Sequence, residues 1–214
     1  MFFNVQTGNL ELKLLNLLGE MYGLGKSYLQ KVARPGMYEV INYESTLEIL
    51  DEGGKEAKFT KIEEVKFLQN NIIAFQDQAG GDGKILVNYL CSPGIPVDVY
   101  RTGHITHILI SLRDVKQKGD QTEFRIQRNI RNGFLKSNGY WATDINHFTQ
   151  KIKVTIILPE QKPPPKIILM ESNRQRTEEL SKDVITQLPD KRLQITWKKQ
   201  NPVLNEHYIL KWEW

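Results

Sequence analysis

The sequence predicts a mainly β protein: an antiparallel β-sandwich or open barrel behind a short N-terminal helical hairpin. Three observations carry that fold class. After residue 36 the apolar residues come in short runs rich in Val, Ile, Phe and Tyr, a composition suited to a pleated, half-buried surface. Turn-forming clusters such as Asp51-Glu52-Gly53-Gly54 and Ser92-Pro93-Gly94-Ile95-Pro96 separate the runs. No helical pattern alternates with them, so the crossover helices of a doubly wound parallel sheet are missing.

Taken in order, residues 9–33 read as helical. Leu10, Leu14, Leu17, Leu18 and Met21 share one stripe, and Gly23 and Gly25 mark the turn of a hairpin. Pro35 ends the pattern, because it pushes Arg34 out of the helical region. YEVINY and TLEIL are the first strand candidates, and KEAKFTK follows the turn at residues 51–54. Over residues 65–91 two apolar runs flank Gly80-Gly81-Asp82-Gly83, which predicts a hairpin. HITHILISL, at 104–112, is apolar on both faces at its centre and reads as an interior strand.

The polar stretch KQKGDQ at 116–121 is the expected seam between two β units. The domain reading is therefore a helical head over 1–35, a first β unit over 36–118 and a second over 119–214. In EFRIQRNIRNGF, Phe124, Ile126 and Ile130 share a face that Arg128 interrupts, which predicts a bulge or a paired arginine. Ile152, Val154, Ile156 and Leu158 form the inward set of the next strand. Three prolines at 163–165 call for an extended loop, KIILME for a strand, and TEELSKDVITQL for a short helix. The chain closes with Tyr208, Leu210, Trp212 and Trp214 alternating with His207, Ile209, Lys211 and Glu213.

Composition bounds the setting. With 40% hydrophobic and 25% charged residues the chain is ordinary for a soluble globular protein, and no apolar run nears the roughly 18 residues that span a bilayer. Glu11 and Lys13 sit where a signal peptide would be apolar. Cys91 is the only cysteine, which excludes an internal disulfide framework and fits a reducing compartment. A cytoplasmic protein without a membrane partner is expected. The net charge of +4 divides into −4 over residues 1–100 and +8 over 101–214, a dipole able to steer acidic partners.

Few patterns survive as chemistry. Gly23-Leu24-Gly25-Lys26-Ser27 ends like a phosphate-binding loop, but Glu20 stands where the first glycine is required, and a helical pattern precedes it instead of a strand. His104 and His107, three apart on a strand, point to opposite faces and do not close on one metal. Cys91 ends an apolar strand, where a thiol is inert, and no nucleophile elbow exists. Asp77 and Asp82 lack the alternating oxygen ligands of a calcium loop, and Glu63 and Glu64, adjacent in a strand, face apart. KSYLQKVA is too poor in Arg, Asn and Gln for a recognition helix.

What remains is a basic face. Arg125, Arg131, Lys151 and Lys153 fall at outward positions of two predicted strands and Lys198 on a third, a surface able to contact phosphates or an acidic protein. The expected function is a non-enzymatic module that binds another macromolecule, a protein. The alternatives are a nucleic-acid-binding regulator using the basic face, and a hydrolase whose site is assembled from distant strands. No catalytic, cofactor-binding or metal-binding residue is assigned.

Overall fold

The computed structural model describes residues 36–136, 138–160 and 166–213. The expected helical hairpin over 1–35, the glycine-lysine-serine turn within it, the proline loop and Trp214 lie outside the described residues.

The described chain is built of strands: β1 (Tyr38–Ile49), β2 (Glu56–Phe67), β3 (Ile72–Gly80), β4 (Lys84–Ser92) and β5 (Ile95–Thr102). There follow β6 (Ile105–Lys116), β7 (Gln121–Arg131), β8 (Asn138–Asp144), β9 (Lys151–Leu158) and β10 (Ile167–Glu171). The last are β11 (Arg176–Glu179), β12 (Ile185–Gln187), β13 (Leu193–Gln200) and β14 (His207–Glu213). They form a seven-stranded sheet ordered β12-β13-β9-β1-β2-β7-β4, a four-stranded sheet β11-β10-β14-β8 and a three-stranded sheet β3-β6-β5. Pairing is antiparallel except between β1 and β9, which run parallel. No described helix is long and apolar enough to cross a membrane.

The alternation of β2 explains how the sheets stack. Ala57, Phe59, Lys61, Glu63, Val65 and Phe67 are all buried, and all point to one face of the large sheet. Ala57 and Phe59 join one apolar core, with Leu47 and Ile49 of β1, Ile130 of β7 and Tyr208, Leu210 and Trp212 of β14. Val65 and Phe67 join a second core, with Tyr38 and Val40 of β1, Phe124 and Ile126 of β7, and Phe75, Ile108 and Ile110 of the three-stranded sheet. Both small sheets therefore cover the same face of the large one, toward opposite ends of its central strands. A register shift between Val40 and Asn42 lets β1 serve both cores, inward at Tyr38 and Val40 before it and at Ser45, Leu47 and Ile49 after it.

Three local expectations are corrected. The runs within 65–91 do not form a hairpin: β3 pairs with β6, whereas β4 pairs with β7 in the large sheet. The glycines between them carry the chain from one sheet to another. Gly83 takes φ +75° where a Cβ would lie 2.2 Å from the Arg131 carbonyl oxygen, so backbone passes against backbone. The helix expected over TEELSKDVITQL is replaced by β11, a 3-10 turn at Lys182–Val184 and β12, because edge pairing with β10 and β13 outweighs its weak helical pattern. Arg128 adds no extra residue to β7, which stays in continuous register with β2; the irregularity opposite it lies in β4, whose register shifts between Val87, paired with Asn129, and Leu90, paired with Gln127. The polar stretch at 116–121 joins β6 to β7, and strands from both sides of it share the large sheet. HITHILISL lies in the middle strand of its sheet, as its apolar character predicts.

Candidate functional site

Between the two cores the inward faces of three adjacent strands turn polar. β1 contributes Tyr43 and Ser45, β2 contributes Lys61 and Glu63, and β7 contributes Arg128. Ser45, Lys61, Glu63 and Arg128 are all buried, so each polar group there costs free energy unless it is partnered. The two small sheets leave a cleft of about 1380 Å³ here. Its floor includes Tyr43, Lys61, Glu63 and Arg128, and its lining takes in Gln76 to Gly80 along β3, excepting Asp77, and every residue of β8. β3 and β8 each end their own sheet. The segment 145–149 ties one side together: Asn146 Nδ2 donates to Gln78 Oε1 at 3.3 Å, and the His147 ring lies 4.1 Å from that of Tyr38.

The two cations of the floor live differently. Lys61 Nζ sits 2.6 Å from Asp77 Oδ1 and 2.8 Å from Glu63 Oε2, and Tyr89 donates its hydroxyl to Asp77 at 2.9 Å. Burial opposes the charge on Lys61, but Asp77 and Glu63 outweigh it and hold the ammonium well above its ordinary pKa. Burial and the Asp77 carboxylate push the Tyr89 phenol upward, so it stays a neutral donor. Lys61 is a partnered hub.

Arg128 is not. It is 2% exposed, and its Nη1 donates to the Ile85 carbonyl at 2.7 Å. Its Cζ lies 4.6 Å from the centre of the Phe59 ring and 5.9 Å from that of Trp141 on β8. Among the described residues no carboxylate reaches it, and its Nε–H has no acceptor. Burial lowers its pKa against the pull of Asp77, yet a guanidinium keeps its proton at neutral pH. The buried Trp141 Nε1–H, on the neighbouring wall, also lacks an acceptor.

The residues singled out in the sequence lie elsewhere. Arg125, Arg131, Lys151, Lys153 and Lys198 all lie on the opposite, outer face of the large sheet. Lys153 and Lys198 are cross-strand neighbours on β9 and β13, but β1 and β2 separate these from β7. Acidic side chains interleave with them: Arg125 pairs with Glu123 at 2.6 Å, Arg131 with Glu56 at 3.4 Å and Lys153 with Glu44 at 3.1 Å. His107 faces outward, stacked on Tyr100 and bonded to Gln76, while His104 sits in the turn before β6. Burial pushes the Cys91 thiol up to about 11, away from thiolate chemistry. Asp77 is buried under Lys61, and Asp82 pairs with Lys136 at the surface. Among the described residues no three His, Cys, Asp or Glu side chains gather as a metal site. Sequence reasoning weighed Asp77 only as a calcium ligand and missed Lys61 and the pairing of the two; the signal was a lysine and a glutamate in the inward phase of β2.

No protein-family model and no curated sequence matches the chain. Among solved structures it is similar to an M1 zinc metallopeptidase from Deinococcus radiodurans, with a TM-score of 0.53 and 9% identity over 83% of this chain. A two-domain M1 zinc metallopeptidase bound to L-tryptophan gives a TM-score of 0.52 at the same identity. The chain spans 43% of the length of each. At that identity the likeness is one of fold.

Proposed function

We propose that the chain is a non-enzymatic module that binds an extended segment of another protein in the cleft between its small sheets. The observation that carries this reading is that two strand edges, β3 and β8, border one cleft. No backbone hydrogen bond among the described residues reaches the outward edge of either strand. An open strand edge is a template for another strand, and a cleft beside it offers pockets for alternate side chains. β8 is the better edge, because all seven of its residues line the cleft. The single cysteine supports a cytoplasmic setting.

Selection of random linear peptides on the full chain tests the proposal. A selected peptide is then made in two forms, N-methylated at odd or at even positions. Strand addition uses alternate main-chain N–H groups, so one form should lose about tenfold or more in affinity, roughly 1.4 kcal/mol, while the other holds. Equal binding by both forms, or no selected peptide, would overturn the proposal.

A further inference from the structure

We infer that the ligand of the cleft presents a carboxylate to Arg128 and Trp141, which makes acidic peptides its class of partner; this rests on the peptide-binding reading above. A guanidinium carries five N–H donors in a planar fork matched to a carboxylate. Arg128 spends one on the Ile85 carbonyl, and its buried Nε–H is left without an acceptor. Trp141, whose buried indole N–H also lacks a partner, faces the same guanidinium, its ring centre 5.9 Å from Cζ. Two donors of one site thus await an acceptor.

Among the described residues the neighbouring acids do not fill the role. Asp77 accepts from both Lys61 and Tyr89, and Glu63 is held by Lys61. Nor is Arg128 a filler. Phe124, Ile126 and Ile130 hold the other inward positions of β7, and an apolar side chain between Phe59 and Trp141 would avoid desolvating a charge. The charge balance narrows the ligand further. Lys61 and Arg128 are balanced by Glu63 and by Asp77 buried against Lys61, so the floor offers free donors, not surplus positive charge. One carboxylate suits it better than a phosphate group carrying close to two charges.

The test has two arms on the full chain. In the first, ¹⁵N spectra follow the Arg128 Nε–H and Trp141 Nε1–H signals during titration with N-acetyl-glutamate amide, and with N-acetyl-glutamine amide as the neutral isostere. Both signals should move with the acid and stay with the amide; equal response, or none, overturns the inference. In the second, the selected peptides should be rich in Asp and Glu or need a free C-terminus, which amidation distinguishes. Changing the critical Glu to Gln, or Arg128→Met in the chain, should each weaken binding about tenfold or more. The two changes together should cost no more than one. Trp141→Phe removes a single donor and should give a partial loss even if Arg128→Met fails to fold. Neutral peptides that bind equally well to wild type and Arg128→Met would end the carboxylate inference and leave strand addition standing. Shifts with N-acetyl-glutamate amide but no selected peptide would do the reverse.

Discussion

The ends and the middle of β1, β2 and β7 make opposite use of the same inward face. At the ends, alternate residues are apolar, and each set lies under a small sheet: Leu47, Phe59 and Ile130 in one core, Val40, Val65 and Phe124 in the other. In the middle the alternation persists, but the residues are Ser45, Lys61, Glu63 and Arg128. Burial of apolar surface stabilises at the ends, whereas burial of charge in the middle is tolerated only with partners. The difference teaches that the cleft is encoded in the strands that floor it, through a short polar interruption in an otherwise apolar phase.

The strongest way to break this contrast is in the cores. Trp212 is 1% exposed and packed beside Phe134, so Trp212→Ala should cost about 3–5 kcal/mol in a denaturant melt. A transition unchanged within error would place β14 at the periphery. In the middle, Lys61→Met should cost a similar 3–5 kcal/mol or so, because it leaves Asp77 and Glu63 buried without their cation. Gly139→Ala comes next. A Cβ there would lie 2.3 Å from the Trp212 ring, and forcing that overlap should cost about 1–3 kcal/mol. Arg128→Met sharpens the comparison from the other side. With no acceptor side chain to orphan, its melt should shift by less than about 1 kcal/mol or rise, while ligand binding falls. A loss as large as that of Lys61→Met would make Arg128 structural.

Smaller effects follow at the rim and on the outer face. Burial holds the His147 imidazole below its ordinary value, with Glu63 pulling the other way. The unfolded chain therefore takes up the proton first, and stability should fall as pH drops from about 6.5 through the lower folded value. A His147→Asn variant should show a flatter dependence; an unchanged slope would assign it to other groups. Least of all should change when Arg125, Arg131, Lys151 and Lys153 become Gln. Labelled duplex DNA should show no submicromolar affinity for wild type near about 0.15 M salt. Tight binding lost in the variant would shift the function to the outer face.

Much of this was legible from local alternation. The inward set of β9 read correctly, as did Tyr208, Leu210 and Trp212 of β14, and Arg128 stood out as an interruption. Lys61 did not, because KEAKFTK and VKFLQ read as separate pieces, which hid the fact that Lys61 and Glu63 continue the phase of Phe59 and Val65. The partners of β3 and β4 were hidden for another reason. Two apolar runs around a glycine turn look like a hairpin, and nothing local says that β6 and β7 compete for them. The basic face was real as a face, yet Glu44 and Glu56, which interleave with it, come from neighbouring strands that only pairing reveals, while Glu123 stands two residues before Arg125 on β7 itself.

The cleft itself is tested most directly by amide hydrogen exchange on the full chain, with and without a selected acidic peptide. New protection should fall on alternate amides of β8, with the indole of Trp141 shifted at the same time. Protection confined to the distant edges β5, β11 or β12, or none at any edge, would contradict peptide binding in the cleft.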